Sequence, residues 1–150
     1  MEKIIRIGII GSSGIAAGHA LAYLAMENIQ IIAVIANVVT GKAQEFIDLL
    51  GIKGAKAFEF HNEMLKEEID GVSICTPNVA HHRTNIDALH TGKQVLVEKP
   101  LAVTLDQRIE VVKVAKETDK MLSVGFQPRY DLNMKTVKQI IQPGQLGDVY

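Results

Sequence analysis

The chain lacks a partner for its one cysteine: Cys75 stands alone in 150 residues, so no internal disulfide can form, and a reducing, cytoplasmic setting is the expectation. It lacks an excess of charge. Sixteen basic residues face 17 acidic ones, neither sign clustered, for a net charge of −1. That excludes the basic face that a nucleic-acid or anionic-membrane partner would need, so neither is expected. No apolar run reaches the roughly 20 residues of a membrane span. The N-terminus shows no charged region followed by an apolar one and enters a strand pattern by Ile4, so no signal peptide is expected. Repeats, linkers and low-complexity segments are absent too. What is present is a 47% hydrophobic chain, enough for one compact domain with a full core.

The most informative stretch is Ile4 to Ala16. The β-branched run Ile4–Ile10 reads as a strand buried on both faces. A Gly/Ser turn follows, and then Ala16, Ala20, Tyr23 and Leu24 fall on one face of a helix. Strand, glycine turn and helix open a βαβ unit in which backbone N–H groups and the helix dipole face a pyrophosphate. Gly11 and Ala16 fit the ends of G-x-G-x-x-G/A, but Ser13 occupies the second glycine position. Ser12, Gly14 and Ile15 complete the candidate phosphate turn. Taken alone, the turn leaves open a tight βα connection with no ligand. No Lys-Ser/Thr follows the glycines, which argues against a nucleoside-triphosphate loop.

Strand and helix patterns alternate along the rest of the chain. Strands are expected at 30–36, 56–58, 72–75, 94–97 and 121–125. Thr40 is expected to cap a helix burying Ala43, Phe46, Ile47 and Leu50, which Gly51 ends. Residues 61–68 read as a charged, exposed helical turn. Asn78 is expected to cap a helix through Ile86 and Leu89. Thr104 and Gln107 form a capping box for a helix with Leu105, Ile109, Val112 and Ala115 on its inner face. Asp131 caps a last helix, with Met134, Val137 and Ile141 inward. This alternation predicts an α/β fold: a Rossmann-type, doubly wound parallel sheet with helices on both faces. Residues 1–150 read as one dinucleotide-binding domain, with 147–150 opening the first strand of a further domain.

In such a sheet, ligands bind beyond the carboxyl ends of the strands. Polar clusters gather at those ends: Gly11–Gly14, Asn37, Thr76-Pro77-Asn78 and Glu98-Lys99-Pro100, with Arg129 after the sixth strand. Asn37 stands where an acidic residue normally binds the ribose hydroxyls. It neither selects NAD nor repels a 2′-phosphate, which leaves NAD and NADP open; Lys42 is a candidate 2′-phosphate contact. Adjacent His81 and His82 face different ways on a helix and no ligand-spaced cluster accompanies them, so no metal is expected. His19 reads as a packed or boundary histidine, His61 and His90 as surface residues, and Cys75 as core.

The glycine turn, Thr76-Pro77-Asn78 with His81, Glu98-Lys99-Pro100, and Gly125-Phe126-Gln127-Pro128-Arg129-Tyr130 occur together and in this order. In this the chain resembles the glucose–fructose oxidoreductase / inositol dehydrogenase / MocA (Gfo/Idh/MocA) family over essentially its whole length. The resemblance implies an NAD(P)-dependent oxidoreductase acting on a CH–OH group of a sugar, cyclitol or related polyol. It implies that Lys99 is the catalytic lysine, that Glu98 lies near the nicotinamide end, and that the Lys99-Pro100 bond is cis. It further implies that Thr76, Pro77, Asn78 and His81 border the nicotinamide riboside and pyrophosphate, and that Arg129 faces the site. The family's second domain, an open antiparallel sheet that completes the substrate site, is not in these 150 residues. The chain is therefore expected to bind dinucleotide without turnover, and to form a homo-oligomer when full length. Two other readings stay open: a non-catalytic dinucleotide-binding sensor, and a nucleotide-dependent methyltransferase, which gives no reason for Glu98-Lys99-Pro100.

Overall fold

A computed structural model describes residues 3–35, 41–144 and 146–148. Six strands lie in one sheet: β1 (Ile5–Ile10), β2 (Ile29–Ile35), β3 (Lys56–Phe58), β4 (Gly71–Ile74), β5 (Gln94–Glu98) and β6 (Leu122–Gly125). Between them run α1 (Gly14–Leu24), α2 (Lys42–Leu50), α3 (His61–Met64), α4 (Asn78–His90) and α5 (Leu105–Glu117). A 3-10 turn (Gln127–Arg129) and α6 (Leu132–Ile141) follow β6. Every pairing is parallel and the order is β3-β2-β1-β4-β5-β6, the doubly wound sheet that the alternation predicts.

Parallel neighbours need crossover helices, and the direction of winding reverses after β3, where the chain passes to the other side of β1. The reversal places helices on both faces. Ile9, Val34 and Cys75 meet α1 and α2 through Ala16, Ala20, Phe46 and Ile47 on one side. Ile10, Ile74 and Val97 meet Met64, Leu89 and Val111 on the other. Neighbouring side chains alternate across a strand, so Ile9 and Ile10 enter different cores. That is why β1 reads as an unbroken apolar run.

Several local expectations are corrected. The stretch 61–68 is not simply exposed: Met64 and Leu65 are buried. Gly8 makes this possible, since a Cβ there would stand 2.8 Å from the Met64 methyl. Leu24 is exposed, as α1 turns only Ala16 and Ala20 fully inward. In α5 Ala115 is buried as expected, but its core companions are Val111 and Val114, and Leu105, Ile109 and Val112 are exposed. Helix α6 buries none of its residues, and Met134, Val137 and Ile141 all face outward. Pro77, not Asn78, is the N-cap of α4; Asn78 is its first residue and the helix has no side-chain cap. Thr40 lies outside the described residues, and α2 starts from Gly41. The Thr104–Gln107 capping box and the Asp131 cap form as expected. No described helix is long and apolar enough to cross a membrane.

Candidate functional site

All six strands point the same way, so the turns after β1, β4 and β5 stand side by side at one edge of the sheet. The reversal of winding lies between β1 and β4, where an open α/β sheet leaves a crevice for a ligand.

The turn after β1 is shaped by Gly11. Its φ is +119°, and a Cβ there would stand 2.5 Å from the Cys75 carbonyl oxygen. The glycine therefore lets the turn press against the end of β4. Ser13 has extended backbone and is the N-cap of α1; its hydroxyl lies 3.4 Å from the Cys75 carbonyl oxygen instead of capping the helix. Ser13, Gly14 and Ile15 are exposed, Ser12 half so. The first N–H groups of α1 have no partner within the helix, as at any helix start, and they open onto the crevice edge with the positive end of the dipole.

Beyond β4, Pro77 and Asn78 are exposed and Thr76 half-buried. The Thr76 hydroxyl is buried without a hydrogen-bond partner in the protein. His81 does not face the crevice. Its ring is fully buried, with Nδ1 2.6 Å from the Pro100 carbonyl and Nε2 2.9 Å from the Thr76 carbonyl. It ties the two strand-end turns together. One helical turn on, Asn85 donates to the Leu101 carbonyl at 3.2 Å, a second tie from α4 to the segment after β5.

Lys99 is exposed at the end of β5 and its bond to Pro100 is cis. Glu98 is buried: His19 Nε2 lies 3.1 Å from its Oε1, and the Gln127 amide donates to the same oxygen. Oε2 accepts the Lys99 backbone N–H at 3.2 Å. A buried carboxylate needs such donors, because desolvation otherwise costs several kcal/mol, about the size of the effective penalty per buried ion. Arg129 is exposed, with its guanidinium 5.8 Å from the centre of the Phe126 ring. Asn37 lies outside the described residues. Lys42 pairs with Glu45 on the surface.

Sequence reasoning missed His19. Its ring reaches across from α1 to Ser73 of β4 as well as to Glu98. The only sequence signal was a polar residue beside the apolar face of a helix, which is common. Next to it runs a groove of about 420 Å³ between α1 and β6, lined in part by His19, Tyr23, Leu96, Val124 and Gln127. Burial pushes the Tyr23 phenol pKa up there. Burial likewise pushes the Cys75 thiol up to about 11, against a smaller lowering effect of its contact with Ser73. Cys75 is thus a protonated core residue and no nucleophile.

Residues 5–126 match the profile of the Gfo/Idh/MocA oxidoreductase family, described as having an NAD-binding Rossmann fold. The chain belongs to this family. Among its relatives, inositol 2-dehydrogenase of Salmonella typhimurium (strain LT2) is 32% identical over 146 residues, which span 95% of this chain and 43% of that protein. Glucose-6-phosphate 3-dehydrogenase of Bacillus subtilis (strain 168) is 31% identical over 144 residues, 96% of this chain and 40% of that protein. A crystal structure of scyllo-inositol dehydrogenase from Lactobacillus casei, with bound NAD(H) and scyllo-inositol, superposes with a TM-score of 0.85 at 27% identity. The match covers 97% of this chain and 43% of that one. The chain thus spans about two-fifths of the length of the Gfo/Idh/MocA relatives it matches.

Proposed function

We propose that these residues are the cofactor half of an NAD(P)-dependent dehydrogenase that acts on a CH–OH group of a sugar, cyclitol or related polyol. The observation that carries this is the meeting of three turns at one sheet edge, beside the reversal of winding: Gly11–Ile15, Thr76–Asn78 and Glu98–Pro100. The names of the relatives, dehydrogenases of inositol and of glucose 6-phosphate, supply the substrate class.

The residues fit a dinucleotide. Gly11 draws the turn tight, and the start of α1 offers free N–H groups to a pyrophosphate. The Thr76 hydroxyl, in the turn after β4, is buried without a partner in the protein and so keeps both its donor and its acceptor capacity. Pro77 and Asn78 form the exposed wall next to it. When bound, the nicotinamide supplies hydride chemistry. The work of the chain is then to hold the cofactor from β1 and β4, and to present the Lys99 ammonium from β5 so that it exchanges a proton with the reacting hydroxyl. Such proton transfer contributes roughly 10²–10⁴-fold. Holding the reactants in place is worth more, about 7–11 kcal/mol, and needs groups on the far side of the reacting carbon. We assign those to a second domain, within the three-fifths of each relative that lies beyond the match. Arg129 is assigned to the site's rim. His81 and Glu98 act in its wall, behind the surface a ligand touches.

Titration of the chain with NADH and with NADPH, followed by nicotinamide fluorescence, tests the reading. Saturable binding of either is expected. Because the sequence has neutral Asn37 where the dinucleotide pattern carries an acid, the two affinities should differ by less than about a hundredfold, or roughly 2.7 kcal/mol. No binding of either by the folded chain at millimolar concentration would overturn the reading.

A further inference from the structure

Four side chains meet beneath Lys99, from four different elements: His19 of α1, Ser73 of β4, Glu98 of β5 and Gln127 of the turn after β6. His19 Nδ1 lies 2.6 Å from Ser73 Oγ, and Nε2 3.1 Å from Glu98 Oε1. One tautomer serves both contacts: Nε2–H donates to the carboxylate while the Ser73 hydroxyl donates to Nδ1. Serine, histidine and glutamate here follow the order of a hydrolytic triad, but Ser73 is fully buried in a central strand and no substrate can reach it. The network points instead at the carboxylate. Its Oε1 takes His19 and Gln127, which frees Oε2 for the backbone N–H of Lys99. Gly125 leaves the necessary room, since a Cβ there would stand 2.8 Å from Oε1.

We propose that His19 is a positioning residue: it fixes the Glu98 carboxylate so that Oε2 holds the Lys99 backbone, and so couples the lysine to the phosphate-facing helix α1. This rests on the reading of Lys99 as the proton-handling group. Hydrogen bonds to an ionised acceptor are about twice as strong as neutral ones. Removing one of three donors to a buried carboxylate is therefore enough to turn it towards water, which releases the Lys99 N–H.

The test is amide hydrogen exchange on the ¹⁵N-labelled chain without cofactor. His19→Ala should speed exchange at the Lys99 amide at least tenfold and leave Val97 and Ile74, in the neighbouring ladders, within twofold. The amide nitrogen of a glutamine falls where Nε2 was, and that of an asparagine where Nδ1 was. His19→Gln should therefore restore protection at Lys99, and His19→Asn should not. A role confined to filling the core would move Val97 and Ile74 along with Lys99, or be rescued equally by both amides, and either result overturns the proposal. So does unchanged exchange at Lys99 in folded His19→Ala. Should His19→Ala fail to fold, Gly125→Ala decides: its methyl crowds Oε1, the oxygen that His19 holds, and release of the Lys99 amide is required. NADH titration of the unsubstituted chain tests the cofactor reading separately, because the exchange is measured without cofactor.

Discussion

Gly11 and Gly14 flank the same turn, yet alanine should act oppositely at the two. At Gly11 the backbone φ of +119° is one that L residues rarely adopt, and the new methyl would stand 2.5 Å from the Cys75 carbonyl oxygen and 2.8 Å from its carbon. Both are backbone atoms of Cys75, the residue after β4, and cannot swing aside as the end of a side chain would. The strained φ costs about 1–3 kcal/mol and the overpacking a similar 1–3 kcal/mol, so Gly11→Ala should lose about 2–6 kcal/mol. At Gly14 no atom lies within 4 Å of the new methyl and the residue is the first of α1. Gly14→Ala should be neutral or gain roughly 0.4–1 kcal/mol by restricting the unfolded chain. Urea unfolding monitored by circular dichroism measures both. With m about 2 kcal/mol/M, the middle of the range for small proteins, the Gly11 variant's midpoint should fall by about 1–3 M at unchanged m. A Gly11→Ala variant within about 0.5 kcal/mol of the original, the usual range of surface substitutions, would show that the turn does not need the close approach to β4.

The remaining expectations concern the rest of the molecule. The Arg6 backbone N–H, helped by Lys3 and the Arg6 charge, holds the Asp70 carboxyl below its ordinary value. A depressed folded pKa gives stability that is full above the unfolded value of about 3.9 and is lost as pH falls through the folded value. Urea midpoints should therefore drop below about pH 4, and less steeply in Asp70→Asn; equal slopes would deny Asp70 this role. Cys75, buried with its thiol pKa near 11, should resist iodoacetamide at pH 8 in the folded chain and react promptly in urea, as mass spectrometry would show. Met64→Ala should cost about 2–5 kcal/mol, as for other buried large side chains, whereas Leu105→Ala, at an exposed position, should stay within about 0.5 kcal/mol. A large loss at Leu105 in urea unfolding would place α5 differently against the core.

Strand and helix order, the parallel sheet and the position of the glycine turn were legible in the chain itself, because each depends on local pattern. Apolar runs bounded by turn residues mark buried strands, and capping residues such as Thr104 and Asp131 satisfy helix N–H groups within a few positions of themselves. The cluster of polar residues at strand ends was equally visible, since parallel strands put all carboxyl ends on one edge. Periodicity found the buried faces of α1 and α2, but tertiary structure alone decided which face of α5 is core. Periodicity in α5 offered Leu105, Ile109, Val112 and Ala115, but of these the core accepts only Ala115, which it joins with Val111 and Val114, because contact geometry selects one of two apolar stripes. Met64 is buried only because Gly8, 56 residues earlier, leaves space above β1. His19 and Glu98 meet across 79 residues. No local pattern encodes such a meeting: it exists only once winding has brought α1 over β4 and β5, and a buried carboxylate there requires a donor.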